Sequence, residues 1–242
     1  MIKGLFDKTL SFLALLVLSP LLVVVAIIIY LTDFHSPFYV ANRVGLNGVL
    51  FPMIKFRSMR KGADKTGVDS TSANDDRITP IGHFIRRYKI DELSQLINVL
   101  LGTMSFVGPR PNVKRETDLY TQEEQKILTV KPGITDFSSI VFSDEGDILA
   151  GQKDPDLAYN QLIRPWKSRL GIFYVEHKGF FLDLYLIWLT VLNFFNRDNA
   201  LGNISSYLDA HGAEKKLSEI VLRKSKLVPT PPPGSDKVVE SR

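Results

Sequence analysis

The sequence predicts a helix-rich α/β (α+β) membrane-associated domain with an N-terminal re-entrant membrane helix and interfacial amphipathic helices. Three observations predict it. Phe12 to Leu31 reads FLALLVLSPLLVVVAIIIYL, an apolar run interrupted only by Ser19 and Pro20. Behind it, short strand-like segments give way to stretches whose apolar residues recur at helical spacing. Near Phe180 the chain turns strongly apolar again, in GFFLDLYLIWLTVLNFF. The division is a re-entrant helix-hairpin over residues 1–34, a folded domain over 35–210, and a C-terminal helix with a disordered tail over 211–242.

About twenty apolar residues suffice, as a straight helix, to cross a hydrocarbon core about 30 Å thick. A secretory signal is disfavoured, because the core is long and no small-x-small cleavage site follows. A single-pass anchor with a tolerated proline and a hairpin dipping into one leaflet both fit the length. Charge separates them: Lys3 and Lys8 precede the run, and Arg43, Lys55, Arg57, Arg60 and Lys61 follow it. Both groups favour the cytoplasmic side, so a true span would strand one of them. Pro20 divides the run into halves about 12 and 17 Å long, each near one leaflet deep, and proline favours a bend. The Ser19 hydroxyl is placed to satisfy a backbone group freed there.

After Ser36–Pro37, FYVANRVGLNGVLFPMIKF predicts strands around a Gly45/Asn47–Gly48 turn. Residues 62–76 read as a polar, mobile loop. Thr79–Pro80 starts a helix, with threonine as N-cap, and Ile81, Phe84, Ile85 and Tyr88 follow in register. Another helix begins at Asp91, with Leu93, Leu96, Ile97, Leu100 and Leu101. Thr121 with Glu124 predicts a capping box, and Lys131–Pro132–Gly133 a turn. The apolar stretch at Phe180, with Tyr185 and Trp188, fits a helix lying at the membrane interface or docked on the N-terminal hairpin, and a core helix fits it equally well. The tail from Pro229, PTPPPGSDKVVESR, is predicted to be disordered.

Formal charge is +4, from 30 Lys and Arg against 26 Asp and Glu. That excess suits phosphates or acidic headgroups and lacks the density of a nucleic-acid binder, so none is expected as a partner. Cysteine is absent, which excludes disulfides and thiolate chemistry. The adjacent carboxylates Asp91 and Glu92 lie in a basic stretch: Lys55 to Lys89 holds nine basic residues and four acidic ones. On their own they read as acidic residues at a helix N-terminus. Their surroundings suggest more. Arg86 lies five residues upstream, Pro109 and Pro111 hold Arg110 rigidly, and Lys55 and Arg57 add charge. Arginine forks suit phosphate oxygens, so these residues form a candidate phosphate-binding set.

The succession KFRSM (Lys55 to Met59), DDRITPIG (Asp75 to Gly82), IDELSQLINVLLG (Ile90 to Gly102), MSFVGPRP (Met104 to Pro111) and KPGIT (Lys131 to Thr135) resembles the bacterial sugar transferase family. These are the monotopic phosphoglycosyl transferases, here in a minimal form. The resemblance runs from about Lys3 to Phe195, and the Ser19–Pro20 run resembles that family's re-entrant helix.

The resemblance implies transfer of a sugar-1-phosphate from a nucleotide diphosphate sugar, a UDP-sugar above all, to undecaprenyl phosphate. The nucleoside monophosphate is released, in the first membrane step of glycoconjugate assembly. Asp91 corresponds to the nucleophile that forms an aspartyl phosphosugar and to the contact for Mg²⁺ or Mn²⁺. Glu92 is its dyad partner, activating the lipid phosphate or organising the metal, while Arg86 and Arg110 bind phosphate. Implied partners are membrane lipids, a second copy of the chain or pathway glycosyltransferases, at the cytoplasmic face of a bacterial inner membrane.

The sequence departs from the family after KPGIT. Asp136–Phe137–Ser138–Ser139–Ile140 and the following segment stand where GWAQV and an NGR-type arginine are usual, leaving Arg164 or Arg169 as replacements. Ser36–Pro37–Phe38–Tyr39 stands for the usual SPGP. Two other readings stay open: a glycosyltransferase releasing nucleoside diphosphate, and a membrane-anchored scaffold without catalysis.

Overall fold

In the computed structural model, which describes residues 2–241, the apolar run and its flanks form one helix, α1 (Ile2–Asp33). It is long and apolar enough to cross a membrane by length and composition. The expected interruption at Ser19–Pro20 is absent: the helix continues through it. The local chemistry explains this. Proline removes the N–H that would bond the Leu16 carbonyl, and the Ser19 hydroxyl donates to that carbonyl instead, at 2.8 Å.

One stripe of α1 is polar and faces the domain. Lys3 bonds Asp183 and, at 3.1 Å, the Val107 carbonyl. Four residues on, Asp7 accepts from the Ser105 hydroxyl at 2.8 Å, and four further the Ser11 hydroxyl donates to the Leu96 carbonyl at 2.5 Å. Towards the other end Val25 and Ile29 pack with Phe56 and Ile85. The last residue, Asp33, takes the Arg57 guanidinium through two bonds of 2.6 Å. Both ends of α1 are therefore fastened to the same domain.

Strands β1 (Phe38–Val44) and β2 (Leu50–Phe56) pair antiparallel from Phe38 opposite Phe56 to Val44 opposite Leu50. The turn needs left-handed backbone at Asn47 (φ 55°) and Gly48 (φ 77°), which asparagine and glycine tolerate best. The loop expected to be mobile is folded around Arg77. That side chain pairs with Asp75 and donates to the carbonyls of Val68 and Ser70.

Helix α2 (Pro80–Arg87) starts as expected, with the Thr79 hydroxyl accepting from the Gly82 amide at 3.0 Å. Gly82 lies so near the Ser58 carbonyl that an added Cβ would come within 1.9 Å of it. The helix expected from Asp91 is instead a 3₁₀ turn, Ile90–Gln95, leading into α3 (Leu96–Leu101).

Strand β3 (Ser105–Val107) pairs in parallel with β4 (Gly133–Thr135); between them lie α4 (Lys114–Thr117) and a 3₁₀ turn, Glu124–Thr129. The Thr121–Glu124 capping box forms, with amide-to-side-chain bonds of 3.1 and 3.0 Å. The remainder is helical: α5 (Phe137–Val141), α6 (Glu145–Leu149), α7 (Pro155–Ala158), α8 (Arg164–His177), α9 (Phe180–Phe195), α10 (Arg197–Ala210) and α11 (Lys215–Val221). Their apolar faces meet in the main core around Phe137, Trp166, Leu186 and Ile204.

Helix α9 divides its surface. Leu182, Leu186 and Leu189 are buried, while Phe181, Trp188, Phe194 and Phe195 stay exposed, and Phe180 meets Phe6 of α1 edge-on at 5.2 Å. The core and docked readings thus apply to different faces of one helix. The tail is not the disordered segment expected. Its Pro231 and Pro233 carbonyls accept from Arg169 and Thr121, and the Val239 carbonyl accepts from Gln161.

Candidate active site

The two carboxylates owe their placement to a sharp reversal. Lys89 adopts left-handed backbone (φ 56°) after α2, and the 3₁₀ turn then presents Asp91 and Glu92 side by side. They meet very different surroundings. Glu92 is gripped by Arg110 through bonds of 2.8 and 2.5 Å and contacts Lys55 at 3.3 Å. Burial opposes its ionisation, yet Arg110 and Lys55 outweigh that effect and hold it well below the usual carboxylate range. Asp91 is 6% exposed and its Oδ1 is buried without a hydrogen-bond partner. Burial pushes its carboxyl above the ordinary value; Lys55 opposes this and the charge on Glu92 reinforces it.

Arg110 is placed by the two turn motifs. Its guanidinium also donates to the Ile134 carbonyl at 3.0 Å. The preceding backbone is locked to β4: the Gly108 amide donates to the Thr135 carbonyl at 3.0 Å, and the Pro109 carbonyl accepts from the Gly133 amide at 3.1 Å. Contact this close requires glycine on both sides. A Cβ on Gly108 would lie 2.4 Å from the Lys131 carbonyl, and one on Gly133 would lie 2.1 Å from the Gly108 amide.

Arg86 is half-buried and makes one weak bond, 3.4 Å, to the Ser58 hydroxyl. These groups line an open cleft of about 2120 Å³ between the hairpin, the Arg77 loop and the α6–α8 region.

Three expected arginines serve elsewhere. Arg57, expected at the phosphates, is closed on Asp33. Arg164 is buried and paired with Glu124 at 2.5 Å, so it holds the core together. Arg169 binds the tail and lies over the Trp166 ring. Two groups on the cleft wall escaped the sequence reading: Arg43, and the pair of Lys167 with Glu145. Arg43 alternates with Tyr39 and Ala41 on one strand face, a signal available once the hairpin register is known.

Among the described residues no three His, Cys, Asp or Glu side chains group to hold a metal ion. Mg²⁺ nevertheless fits the residues present. It commonly takes one or two protein carboxylates and completes its shell with water and substrate phosphates. Asp91 offers a carboxylate oxygen without a partner, whereas Glu92 is saturated by cations.

Residues 1–197 match the sequence model of the family described as Bacterial sugar transferase. The chain is 34% identical over 190 residues to "Uncharacterized sugar transferase EpsL" of Bacillus subtilis, covering 78% of this chain and 85% of that protein. It is 34% identical over 187 residues to the "UDP-glucose:undecaprenyl-phosphate glucose-1-phosphate transferase" of Escherichia coli, covering 74% and 40%. To the "Undecaprenyl-phosphate galactose phosphotransferase" of Salmonella typhimurium it is 32% identical over 219 residues, covering 82% and 41%.

Proposed function

Because the chain belongs to the bacterial sugar transferase family, we propose that it transfers a sugar-1-phosphate from a UDP-sugar to undecaprenyl phosphate. The observation that carries this reading is the contrast within the dyad: a buried Asp91 whose Oδ1 has no hydrogen-bond partner, beside a Glu92 pinned by Arg110 and Lys55.

A largely buried carboxylate with an oxygen free of hydrogen bonds is a primed nucleophile. An Asp91 oxygen attacks the phosphorus that carries the sugar, the bond to the bridging diphosphate oxygen breaks, and the nucleoside monophosphate departs. A phosphate oxygen of the lipid then attacks the same phosphorus. The acyl phosphate bond breaks, the lipid diphosphate sugar forms, and Asp91 regains its charge. Arg86 faces the phosphate oxygens, while Arg110 and Lys55 hold positive charge around the reacting centre. Magnesium at Asp91 would neutralise charge on the diphosphate.

A phosphate monoester has its second pKa near about 6, so the acceptor arrives largely deprotonated. Glu92, tied by two cations, therefore orients Arg110 and Lys55 more than it removes a proton. The names of relatives differ between glucose and galactose.

The same reading sets α1 in one leaflet at the cytoplasmic face. A straight span would place one end of α1 across the bilayer, but Lys3 and Asp33, thirty residues apart, both bind the domain. The exposed aromatic face of α9 extends the membrane-facing surface.

Purified full-length protein, given UDP-sugars and undecaprenyl phosphate, should release UMP and carry a phosphosugar mass on Asp91. Release of UDP, or no adduct even in a slowed variant, would defeat this mechanism. Periplasmic labelling just after Leu31 would defeat the topology.

A further inference from the structure

Arg43 lines the cleft with its Nε buried and unpartnered. Several arginines among the described residues have a carboxylate: Arg57 pairs with Asp33, Arg77 with Asp75, Arg115 with Asp69 and Arg164 with Glu124. Among the described residues the Arg43 guanidinium makes no hydrogen bond or ion pair, and its Nε is buried. The carboxylate acting on it is Asp69, which Arg115 already holds, and Arg110 is near enough to repel it. A half-buried guanidinium whose Nε is cut off from water has no carboxylate of its own, and a second cation beside it adds to the cost of holding its charge there.

Its position gives the anion an address. Tyr39, Ala41 and Arg43 lie on one face of β1, and Lys55, the partner of Glu92, stands across from Tyr39. From Tyr39 to Arg43 is four residues, or about 13 Å along the strand, leading away from α1 and Asp33. On the membrane placement proposed above, the lipid phosphate arrives from the α1 end, which leaves the far end to the soluble substrate.

We propose that Arg43 is a second phosphate-binding residue of this cleft, taking the phosphate of the departing nucleoside monophosphate. This rests on the phosphoglycosyl transfer reading and adds the residue that holds the leaving group. Arg43 then balances a charge that Arg86 and Arg110, grouped at the attacked phosphorus, leave unmet.

The test uses full-length protein in detergent, with UMP and inorganic phosphate as calorimetric titrants, and undecaprenyl phosphate as the varied acceptor in turnover. Arg43→Ala should weaken UMP binding about tenfold or more, as loss of a charge-assisted hydrogen bond does. Arg43→Lys should fall between. The KM for undecaprenyl phosphate should stay put, and the melting temperature of Arg43→Ala should not drop, because no internal partner is lost. UMP affinity within about twofold of wild type would overturn the proposal. An equal rise in acceptor KM would do so too, as would a lower melting temperature in both variants or no preference for UMP over inorganic phosphate. Release of UDP by wild type would instead overturn the reaction while leaving the binding comparison readable.

Discussion

Asp91→Asn should abolish turnover and raise stability. Asp91 is 6% exposed, and its Oδ1 lacks a partner. Leaving a buried polar atom unsatisfied costs on the order of 1–3 kcal/mol, more when it is charged. Lys55 attracts the carboxylate and Glu92 repels it, so neither neighbour cancels the burial cost outright. Asparagine keeps the shape and still buries an oxygen, so only the charge contribution is relieved, about 1 kcal/mol. For a chain of this size that corresponds to about 2–4 °C in melting temperature.

The assay is thermal unfolding of full-length protein at neutral pH with a chelator, so that no cation rests on the carboxylate, alongside turnover and intact mass. A lower melting temperature would mean that Asp91 serves as a cap on its turn, and the argument from an unsatisfied charge would fail. Retained turnover would remove it as nucleophile.

The neighbouring substitution should have the opposite sign. Glu92→Gln leaves Arg110 and Lys55 without their counter-ion; the site is partly exposed, so a loss of about 1–3 kcal/mol is expected in denaturant unfolding. Acid should inactivate before it unfolds. In the metal-free protein Asp91, raised by burial, loses its charge before an ordinary aspartate would, so turnover at limiting magnesium falls with acid while the fold persists. Glu92 is depressed by Arg110 and Lys55, so its stabilisation is complete above the ordinary glutamate value and fades only as pH falls through the much lower folded value. Circular dichroism should therefore stay native where activity has gone. Gly133→Ala places a methyl 2.1 Å from the Gly108 amide; it should cost about 3 kcal/mol or more and depress activity through Arg110, read by unfolding and by turnover of whatever folds.

Much of this was legible in the sequence where the cause is local. The Thr79 cap, the Gly48 turn and the Thr121–Glu124 box involve residues three or four apart, and each formed. The motifs also came together, because Gly108 and Gly133 permit a contact that other residues would block. Partner choice across distance was not legible. Arg57 and Arg110 look alike in the chain, yet one finds Asp33 and the other Glu92. Arg164 reads as a spare cation until Glu124, forty residues away, is seen buried against it. The proline-rich tail lacks apolar periodicity, and its docking rests on backbone carbonyls that composition does not reveal.

The twofold fastening of α1 has a consequence for the enzyme's lipid tolerance. A segment that must bridge two aqueous phases responds to hydrophobic mismatch by tilting or by thinning its host. In the proposed one-leaflet placement, α1 is instead held at Lys3 and at Asp33 by the body it carries, and its geometry is internal. Short-chain and long-chain phospholipids should then support similar rates, with the height of Asp91 above the acyl chains set by the protein rather than by its surroundings.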